Sequence, residues 1–284
     1  MAVVVLRVGR RPSSIVAHSA EAIAAGSLTN RLPTRGDRSE TDQLAHAVNR
    51  AFDGQARAEN TVRSFVADAS HELRTPLSTI SGWLDLRGQG GMTAVELENA
   101  VSHIDNEVGR MRLVVEELGL LARLDERRPL EHEPVELEKL AESVVEDALV
   151  VSSDRDITLE SDGPGRVVGD EARLQQVLRN LVGNAVLHTP QGTAVVVRIE
   201  SSSSGVTVKV IDDGPGIGPD DLPRVFERFW RAEASRSRAT GGSGLGLAIV
   251  QAIIRAHGAK IEVQSRLGSG STFTVTFETA ERRR

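Results

Sequence analysis

Apolar residues recur with a helical period along two stretches in the first half of the chain. The first stripe has spacings of three, four and seven, which place its members on one face of a helix: Val66, Leu73, Leu77, Ile80 and Leu84. After Gly88, Gly90 and Gly91, the second stretch alternates spacings of four and three, as in a coiled-coil seam: Leu97, Val101, Ile104, Val108, Met111, Val115 and Leu118. Because one hairpin buries too little to stand alone, the pattern predicts a hairpin over residues 61–127 that pairs with a second copy into a four-helix bundle.

A shorter helical module is predicted over residues 12–60. Its two helices, residues 12–25 and 40–59, flank a polar loop that contains asparagine, proline and glycine. Each helix carries few apolar residues, so we expect it to pack against a partner chain.

The first eleven residues allow two interpretations. The apolar run at residues 2–6 is far shorter than the ~20 residues of a membrane-spanning helix, and three arginines follow it. Residues 1–11 are therefore either the start of a strand or helix, or the remnant of a membrane helix.

From about residue 128 the pattern changes to alternating strands and helices. Segments rich in β-branched residues predict five strands, at residues 157–159, 194–200, 206–211, 261–264 and 272–277. Helical periods fit residues 137–149, 171–188 and 246–257. Asp170 is a suitable N-cap for the second of these helices, and the serine run at 201–204 is expected to form a hairpin turn. We therefore predict an α/β domain over residues 128–284.

Composition excludes several classes of protein. The chain has no Cys, which excludes disulfide scaffolds, thiolate metal sites and cysteine nucleophiles. Its formal net charge of −6 argues against a nucleic-acid-binding protein. Lys139, Lys209 and Lys260 are its only lysines and none follows a Gly, so a Walker A loop is impossible.

His71 is the first candidate for chemistry. On a helical wheel centred on Leu73 the apolar stripe falls within about 40°, whereas His71 lies at about 160° and Thr75 at about 200°. His71 and Thr75 therefore share the face opposite the stripe. Thr75 stands where a zinc-binding helix would need a second His, and Pro76, which costs about 3 kcal/mol inside a helix, suggests a kink. A lone exposed His is most often only a solvated surface residue.

Polar and glycine-rich segments of the α/β region are further candidates. Asn180 and Asn184 lie one turn apart on a predicted helix, where their amide oxygens would suit Mg²⁺, although such a pair is also common on a solvated face. Residues 212–216 follow a predicted strand, and the glycine-rich residues 241–247 precede a predicted helix. A glycine loop at a helix N-terminus offers free N–H groups to phosphate, but neither segment has the dinucleotide-binding pattern.

Together these segments resemble the sequence boxes of sensor histidine kinases. The H-box, N-box, first glycine box, F-box and second glycine box are matched, in the family's order, by residues 65–77, 180–185, 212–216, 226–231 and 242–247. Residues 12–60 resemble a HAMP signal-relay module. The resemblance implies a dimeric four-helix-bundle hairpin followed by an α/β-sandwich ATP-binding domain of the type found in gyrase and heat-shock-90 chaperones.

The resemblance also implies a role for each matched residue. His71 becomes the phosphoacceptor for the γ-phosphoryl group of ATP, with Glu72 as its general base or orienting group. Asp212 accepts from the adenine amino group, and Asn184 holds Mg²⁺ with support from Asn180. The other implied nucleotide contacts lie in or beside the boxes: His188, Gly214, Gly216, Phe226, Arg231, Gly242, Gly244, Leu245 and Gly246.

The family pattern His-Glu-x-x-Thr, matched from His71 to Thr75, implies a second activity, hydrolysis of the phosphorylated response regulator. The implied partners are a second copy of the chain and the receiver domain of that regulator. The implied location is the cytoplasmic face of the cell membrane, with a membrane tether in a full-length form.

One departure from the family pattern concerns phosphate binding. Leu187 stands where the family often has Lys or Arg, so phosphate charge would have to be met by Arg side chains, Mg²⁺ and backbone N–H groups.

The resemblance also implies a lid over the nucleotide. Residues 231–240 are expected to form this mobile lid.

Two other classes remain open. An ATP-gated conformational machine of the gyrase or chaperone type would share the ATP boxes but would lack His71 on an exposed helix. A non-catalytic signalling scaffold is the other. The stimulus, the cognate regulator and the choice of cis or trans phosphorylation are not determined by these residues.

Overall fold

The computed structural model describes residues 31, 32, 34, 40–90, 92–125, 130–231 and 242–278. The predicted helix at 12–25, the segment 1–11 and residues 232–240 of the predicted lid lie outside the described residues. The chain forms two compact units, residues 1–70 and 71–284.

In the first unit, helix α1 (Glu40–Gly88) makes polar contacts with Arg31 and Leu32. The Asn49 side chain accepts a hydrogen bond from the Leu32 backbone N–H at 2.8 Å and donates one to the Leu32 carbonyl at 2.9 Å. Arg31 pairs with Asp53 one turn further along α1, at 2.6 Å. The predicted helix at 40–59 is therefore not a separate element, because α1 continues through it to Gly88 with Pro76 inside.

The hairpin is completed by helix α2 (Ala94–Asp125). A capping box starts it: the Thr93 N–H donates to a Glu96 carboxylate oxygen at 2.8 Å, and the Glu96 N–H donates back to the Thr93 hydroxyl at 3.3 Å. The rings of Trp83 and His103 stack across the two helices with centroids 5.0 Å apart. The predicted turn is confirmed, since only residues 89–93 separate the helices.

Much of the apolar seam is exposed in a single chain. Leu77, Leu84, Val101, Val108 and Val115 are each between 42% and 58% exposed. Large apolar side chains on one face of two helices are costly to leave in water. This exposure is what a partner hairpin would cover, and the dimer stays a prediction.

The rest of the second unit is an α/β sandwich. Its elements are β1 (Glu133–Glu136), α3 (Leu137–Val151), β2 (Asp156–Ser161), β3 (Arg166–Gly169), α4 (Glu171–His188), β4 (Ala194–Ser202), β5 (Gly205–Asp212), a 3₁₀ turn (Leu222–Arg224), α5 (Gly246–Ala256), β6 (Lys260–Ser265) and β7 (Ser271–Glu278). Five strands form one sheet in the order β2-β4-β5-β7-β6, parallel between β2 and β4 and antiparallel elsewhere. β1 and β3 pair separately.

All five predicted strands of this sheet are present, as are the hairpin turn between β4 and β5 and the three predicted helices. The fold class expected from the sequence, a helical hairpin followed by an α/β sandwich, is confirmed for the described residues. β1 and β3 were not predicted, because four-residue strands are too short for a period to be recognised.

The core lies between one face of the sheet and the three helices. Alternate residues of the central strands are buried, for example Val195, Val197 and Ile199 of β4. Leu120 and Leu121, near the end of α2, belong to the same buried cluster. The hairpin thus packs its last turns against the α/β part, beside α5.

Two polar contacts fix the start of α4. Asp170 is the N-cap, as predicted, and its carboxylate accepts from the Arg173 N–H at 3.1 Å. The backbone N–H of Asp170 donates to Nε2 of His257 at 3.0 Å, and Nδ1 of the same ring lies 2.8 Å from the Ile253 carbonyl. His257 must be neutral with its proton on Nδ1 to make both bonds.

Candidate functional site

A cavity of about 640 Å³ opens beside α4 and α5. Its wall is built from one face of α4, the loop that follows β5, the segment that precedes α5 and two residues of α2. The glycine-rich segments that are far apart in the sequence meet here.

Helix α4 supplies the polar side chains of one wall. Asn180, Asn184 and His188 line the cavity because a spacing of four residues keeps them on the same face. The Asn180 amide also donates to the carbonyl of Gly246 at 3.1 Å, which ties α4 to the first residue of α5. Leu187, at the position where the family often has Lys or Arg, lines the cavity as well.

Asp212 ends β5 and is 7% exposed. One of its carboxylate oxygens accepts from the Gly214 N–H at 3.0 Å. Burial raises the pKa of the Asp212 carboxyl above its usual value, and hydrogen bonds from Gly214 and Ser271 lower it in part. Asp212 itself is not among the residues that line the cavity.

The second glycine box forms the facing wall, and Gly244 is constrained there by its backbone. Gly244 has φ +74°, in the left-handed region that favours glycine. Its carbonyl accepts from the Phe229 N–H at 2.9 Å, so the F-box and the glycine box are joined directly.

Helix α2 contributes a carboxylate to the same wall. The Ser243 hydroxyl donates to Glu117 Oε2 at 2.6 Å and accepts from the Leu245 N–H at 3.1 Å. Burial raises the pKa of the Glu117 carboxyl, and the hydrogen bond from Ser243 lowers it in part. A carboxylate of the hairpin thus lies beside the loop that was expected to face phosphate.

The structure brings eight of the predicted nucleotide-binding residues to the lining of this cavity: Asn180, Asn184, His188, Gly216, Arg231, Gly242, Gly244 and Gly246. It does not bring four others there. Asp212 and Gly214 do not line the cavity, Leu245 is fully buried in the core, and Phe226 packs edge-on against Phe273 at 6.4 Å. A side-chain contact from Leu245 to a ligand is therefore not supported.

The residues predicted for catalysis are separate from the cavity wall. His71 and Thr75 are both exposed on α1, as the helical wheel predicted, and Glu72 is half-buried. None of the three lines the cavity.

Two features of the site could not be found from the sequence. Glu117 lies between seam positions and has no partner within its own helix, so no local signal points to Ser243. Trp230 was noted only as part of a box, yet it lines the cavity.

The side chains of the cavity provide few ligands for a metal ion. Among the described residues no group of three His, Cys, Asp or Glu side chains could hold one. Mg²⁺, however, prefers oxygen ligands and keeps several waters, so it needs few protein ligands when a substrate supplies the rest. The amide of Asn184 on the cavity wall fits that requirement.

Three domain families match consecutive parts of the chain. Residues 4–54 match the HAMP domain, residues 61–127 match the His Kinase A (phospho-acceptor) domain, and residues 169–281 match the histidine kinase-, DNA gyrase B-, and HSP90-like ATPase. This chain belongs to the sensor histidine kinase family.

Curated members of that family match most of the chain. The probable sensor histidine kinase TcrY of Mycobacterium tuberculosis is 44% identical over 244 residues, which are 83% of this chain and 51% of TcrY. The signal transduction histidine-protein kinase BaeS of Escherichia coli is 34% identical over 89% of this chain and 54% of BaeS. The chain therefore spans about half the length of the curated relatives it matches.

Solved histidine kinases share the fold. The histidine kinase AdeS of Acinetobacter baumannii superposes with a TM-score of 0.59 at 28% identity, over 74% of this chain and 98% of that one. The histidine kinase ThkA, solved in complex with the response regulator TrrA, gives a TM-score of 0.62 at 25% identity, over 87% and 69% of the two chains. Full-length ShkA, solved with AMPPNP, gives 0.56 at 31% identity, over 77% and 46%.

No helix in the described part of this chain combines the length and the apolar character that crossing a membrane requires.

Proposed function

We propose that this chain is an ATP-dependent protein histidine kinase that phosphorylates itself on His71 and passes the phosphoryl group to an aspartate of a response regulator. The observation that carries the proposal is the convergence of Asn184 and the second glycine box on one cavity, in a unit that also presents an exposed His71 on a helix. The family membership and the relatives solved with a nucleotide analogue or a regulator support it.

The cavity is suited to ATP with Mg²⁺. Asn184 would hold the metal ion with Asn180 in support, and the ion would supply charge neutralisation for the phosphates. The N–H groups of the second glycine box, at the start of α5, would bind phosphate oxygens with help from the helix dipole. With Leu187 in place of a basic residue, Arg231, which lines the same cavity, is the side chain proposed to offset phosphate charge.

The chemistry would be an in-line transfer. A ring nitrogen of His71 attacks the γ-phosphorus, the bond from that phosphorus to the β–γ bridging oxygen breaks, and ADP leaves with the electron pair. Glu72 would accept the proton of the other ring nitrogen or orient the ring. The phosphoryl group would then move from nitrogen to a carboxylate oxygen of the regulator, and a proton returned to the ring from Glu72 or water would restore the neutral His71.

The test measures whether the protein acquires label from γ-labelled ATP. Wild type should acquire label that is lost in acid and kept in base, and His71→Gln should acquire none while it still binds ATP. His46→Gln is a matched control, because His46 is an exposed histidine on the same helix. Label that persists in His71→Gln would refute the proposal. A wild type that binds ATP without acquiring label would instead support a gyrase-type machine or a scaffold.

A phosphatase activity is proposed for the same helix. Thr75 is exposed one turn from His71, where its hydroxyl could orient a water towards the aspartyl phosphate of a docked regulator. Thr75→Ala should slow loss of phosphate from the regulator while autophosphorylation stays near wild type. Equal loss of both activities would instead indicate a structural role beside Pro76.

The remaining proposals concern assembly and location. The exposed seam of the hairpin supports a homodimer. The match to the HAMP domain supports a location at the cytoplasmic face of the membrane, with a tether outside the described residues.

A further inference from the structure

Arg155 donates hydrogen bonds to the C-terminal end of α4 from outside the cavity. Its Nη1 donates to the Thr189 hydroxyl at 2.6 Å, and its Nη2 donates to the carbonyls of Val186 and Thr189 at 2.7 and 2.8 Å. Arg155 comes directly before β2, is half-buried and does not line the cavity. It also lies before residues 169–281, the part of the chain that matches the ATPase family.

The contact supplies hydrogen-bond donors to the carbonyl groups at the C-terminal end of α4. The last carbonyls of a helix have no partners in the helix, and a cation there is favoured by the helix dipole. The guanidinium of Arg155 has the planar fork that three such bonds require. The Thr189 hydroxyl, which accepts from Arg155, donates in turn to the Ala185 carbonyl at 2.6 Å. The last turn of α4 is therefore held from two directions.

The held turn touches the base of the loop that follows β5. Thr189 is 6% exposed. A β-carbon placed on Gly214 would lie 2.5 Å from the Thr189 methyl carbon and 2.8 Å from a carboxylate oxygen of Asp212. A methyl group therefore does not fit between Gly214 and the side chains of Thr189 and Asp212. Because the Gly214 N–H donates to the Asp212 carboxylate, a shift of Thr189 against Gly214 would be transmitted to Asp212.

We propose that Arg155 is a positioning residue for recognition of the adenine base. Through Thr189 and Gly214 it fixes the place of Asp212, the carboxylate to which the family resemblance assigns the adenine amino group, at the end of β5 beside the cavity. Guanine carries a carbonyl oxygen where adenine carries that amino group, so a correctly placed carboxylate favours ATP over GTP. This inference rests on the proposed function, because it assumes that the cavity binds ATP.

Binding of ATP and GTP to the whole chain, measured by calorimetry, tests the proposal. Arg155→Met should weaken ATP binding about tenfold, which corresponds to about 1.4 kcal/mol of binding free energy. It should leave GTP binding nearly unchanged. Thr189→Val, which keeps the shape of the side chain and removes the hydroxyl, should also weaken ATP binding. The double variant should bind ATP no more weakly than the weaker-binding single variant, since both substitutions act through one chain of contacts. Arg155→Lys keeps the charge without the fork and should fall between wild type and Arg155→Met.

Kinetics and a matched control separate positioning from mere destabilisation. At saturating ATP the labelling rate of Arg155→Met should stay within about twofold of wild type, so that KM rises and kcat does not. Arg198→Met is the control, because Arg198 is an arginine of the same domain that pairs with Glu160 at 2.6 Å on the sheet. It should change neither affinity.

Two results would overturn the inference, and they are distinguishable. If ATP and GTP affinity fell by the same factor in Arg155→Met, with a lower melting temperature, Arg155 would only stabilise the fold. If wild type bound neither nucleotide, the proposed function would be refuted, and the inference with it.

Discussion

The three glycines of the second glycine box should respond differently to alanine. A β-carbon on Gly244 would lie 2.9 Å from two backbone atoms of Phe229, and its φ of +74° is left-handed. A left-handed non-glycine residue costs about 1–2 kcal/mol, and forced overlap in a packed site costs about 1–3 kcal/mol. Gly244→Ala should therefore lose about 2–5 kcal/mol of stability, which lowers the melting temperature by roughly 5–20 °C in a domain of this size.

The neighbouring glycines have room. A β-carbon on Gly242 would meet only Leu187, at 3.9 Å, and one on Gly246 would meet only Asn180, also at 3.9 Å. Gly246 is the first residue of α5, where alanine restricts the unfolded chain more than glycine does and is favoured by about 0.5–1 kcal/mol. Gly242→Ala and Gly246→Ala should melt at or slightly above the wild-type temperature.

Thermal unfolding and ATP binding together decide the matter. Gly244→Ala should melt early, whereas Gly242→Ala should melt normally and bind ATP more weakly, because its methyl group would stand where phosphate is proposed to approach. A normal melting temperature for Gly244→Ala would refute the packing argument. A normal ATP affinity for Gly242→Ala would remove that glycine from the phosphate site.

Three further predictions follow from the hairpin, the cavity and the α4–α5 contact. Replacing Ile104 and Met111 with Asp should put unpaired charges into the seam, at several kcal/mol each, and light scattering should find monomers; a stable dimer would mean that the seam packs within one hairpin. Glu117→Gln should tighten ATP binding severalfold, since it removes a negative charge beside the phosphate loop, while Glu116→Gln on the exposed face of α2 should not; equal affinities in the two variants would contradict this. Burial lowers the pKa of His257 below its usual value, so the unfolded chain takes up the proton first as the pH falls. The stability that neutral His257 contributes is therefore complete above about pH 6.5 and declines below it; urea unfolding between pH 7 and 5 should be less pH-dependent in His257→Gln, and an unchanged pH dependence would exclude the effect.

The parts of the fold that sequence could predict are those with local signals. Alternation of apolar residues defined the five strands of the sheet, and the wheel centred on Leu73 placed His71 and Thr75 on the exposed face. Asp170 was recognised as an N-cap because capping is decided within one turn. The extent of α1 was underestimated, because the sparse apolar residues before residue 60 favour a separate short helix there, whereas the helix continues to Gly88.

The contacts that shape the site were beyond sequence reasoning. Ser243 and Glu117 are 126 residues apart, and Arg155 and Thr189 are 34 apart, so each pair meets only through the packing of whole elements. The absence of Asp212 from the cavity lining likewise depends on how the loop after β5 folds against Thr189. Such details follow from tertiary structure and carry no periodic signal.

The order of the sheet has a consequence for how copies of this protein can meet. β2 and β6 are the two edge strands, and each carries charged residues that are exposed: Asp156 and Glu160 on β2, Lys260 and Glu262 on β6. Glu160 is paired with Arg198 on the neighbouring strand, and Lys260 with Glu278, at 2.6 and 2.7 Å. Charged residues along an open edge discourage strand-to-strand addition of another chain. The sheet edges are thereby disfavoured as an interface between copies, which agrees with the proposal that the hairpin forms the dimer.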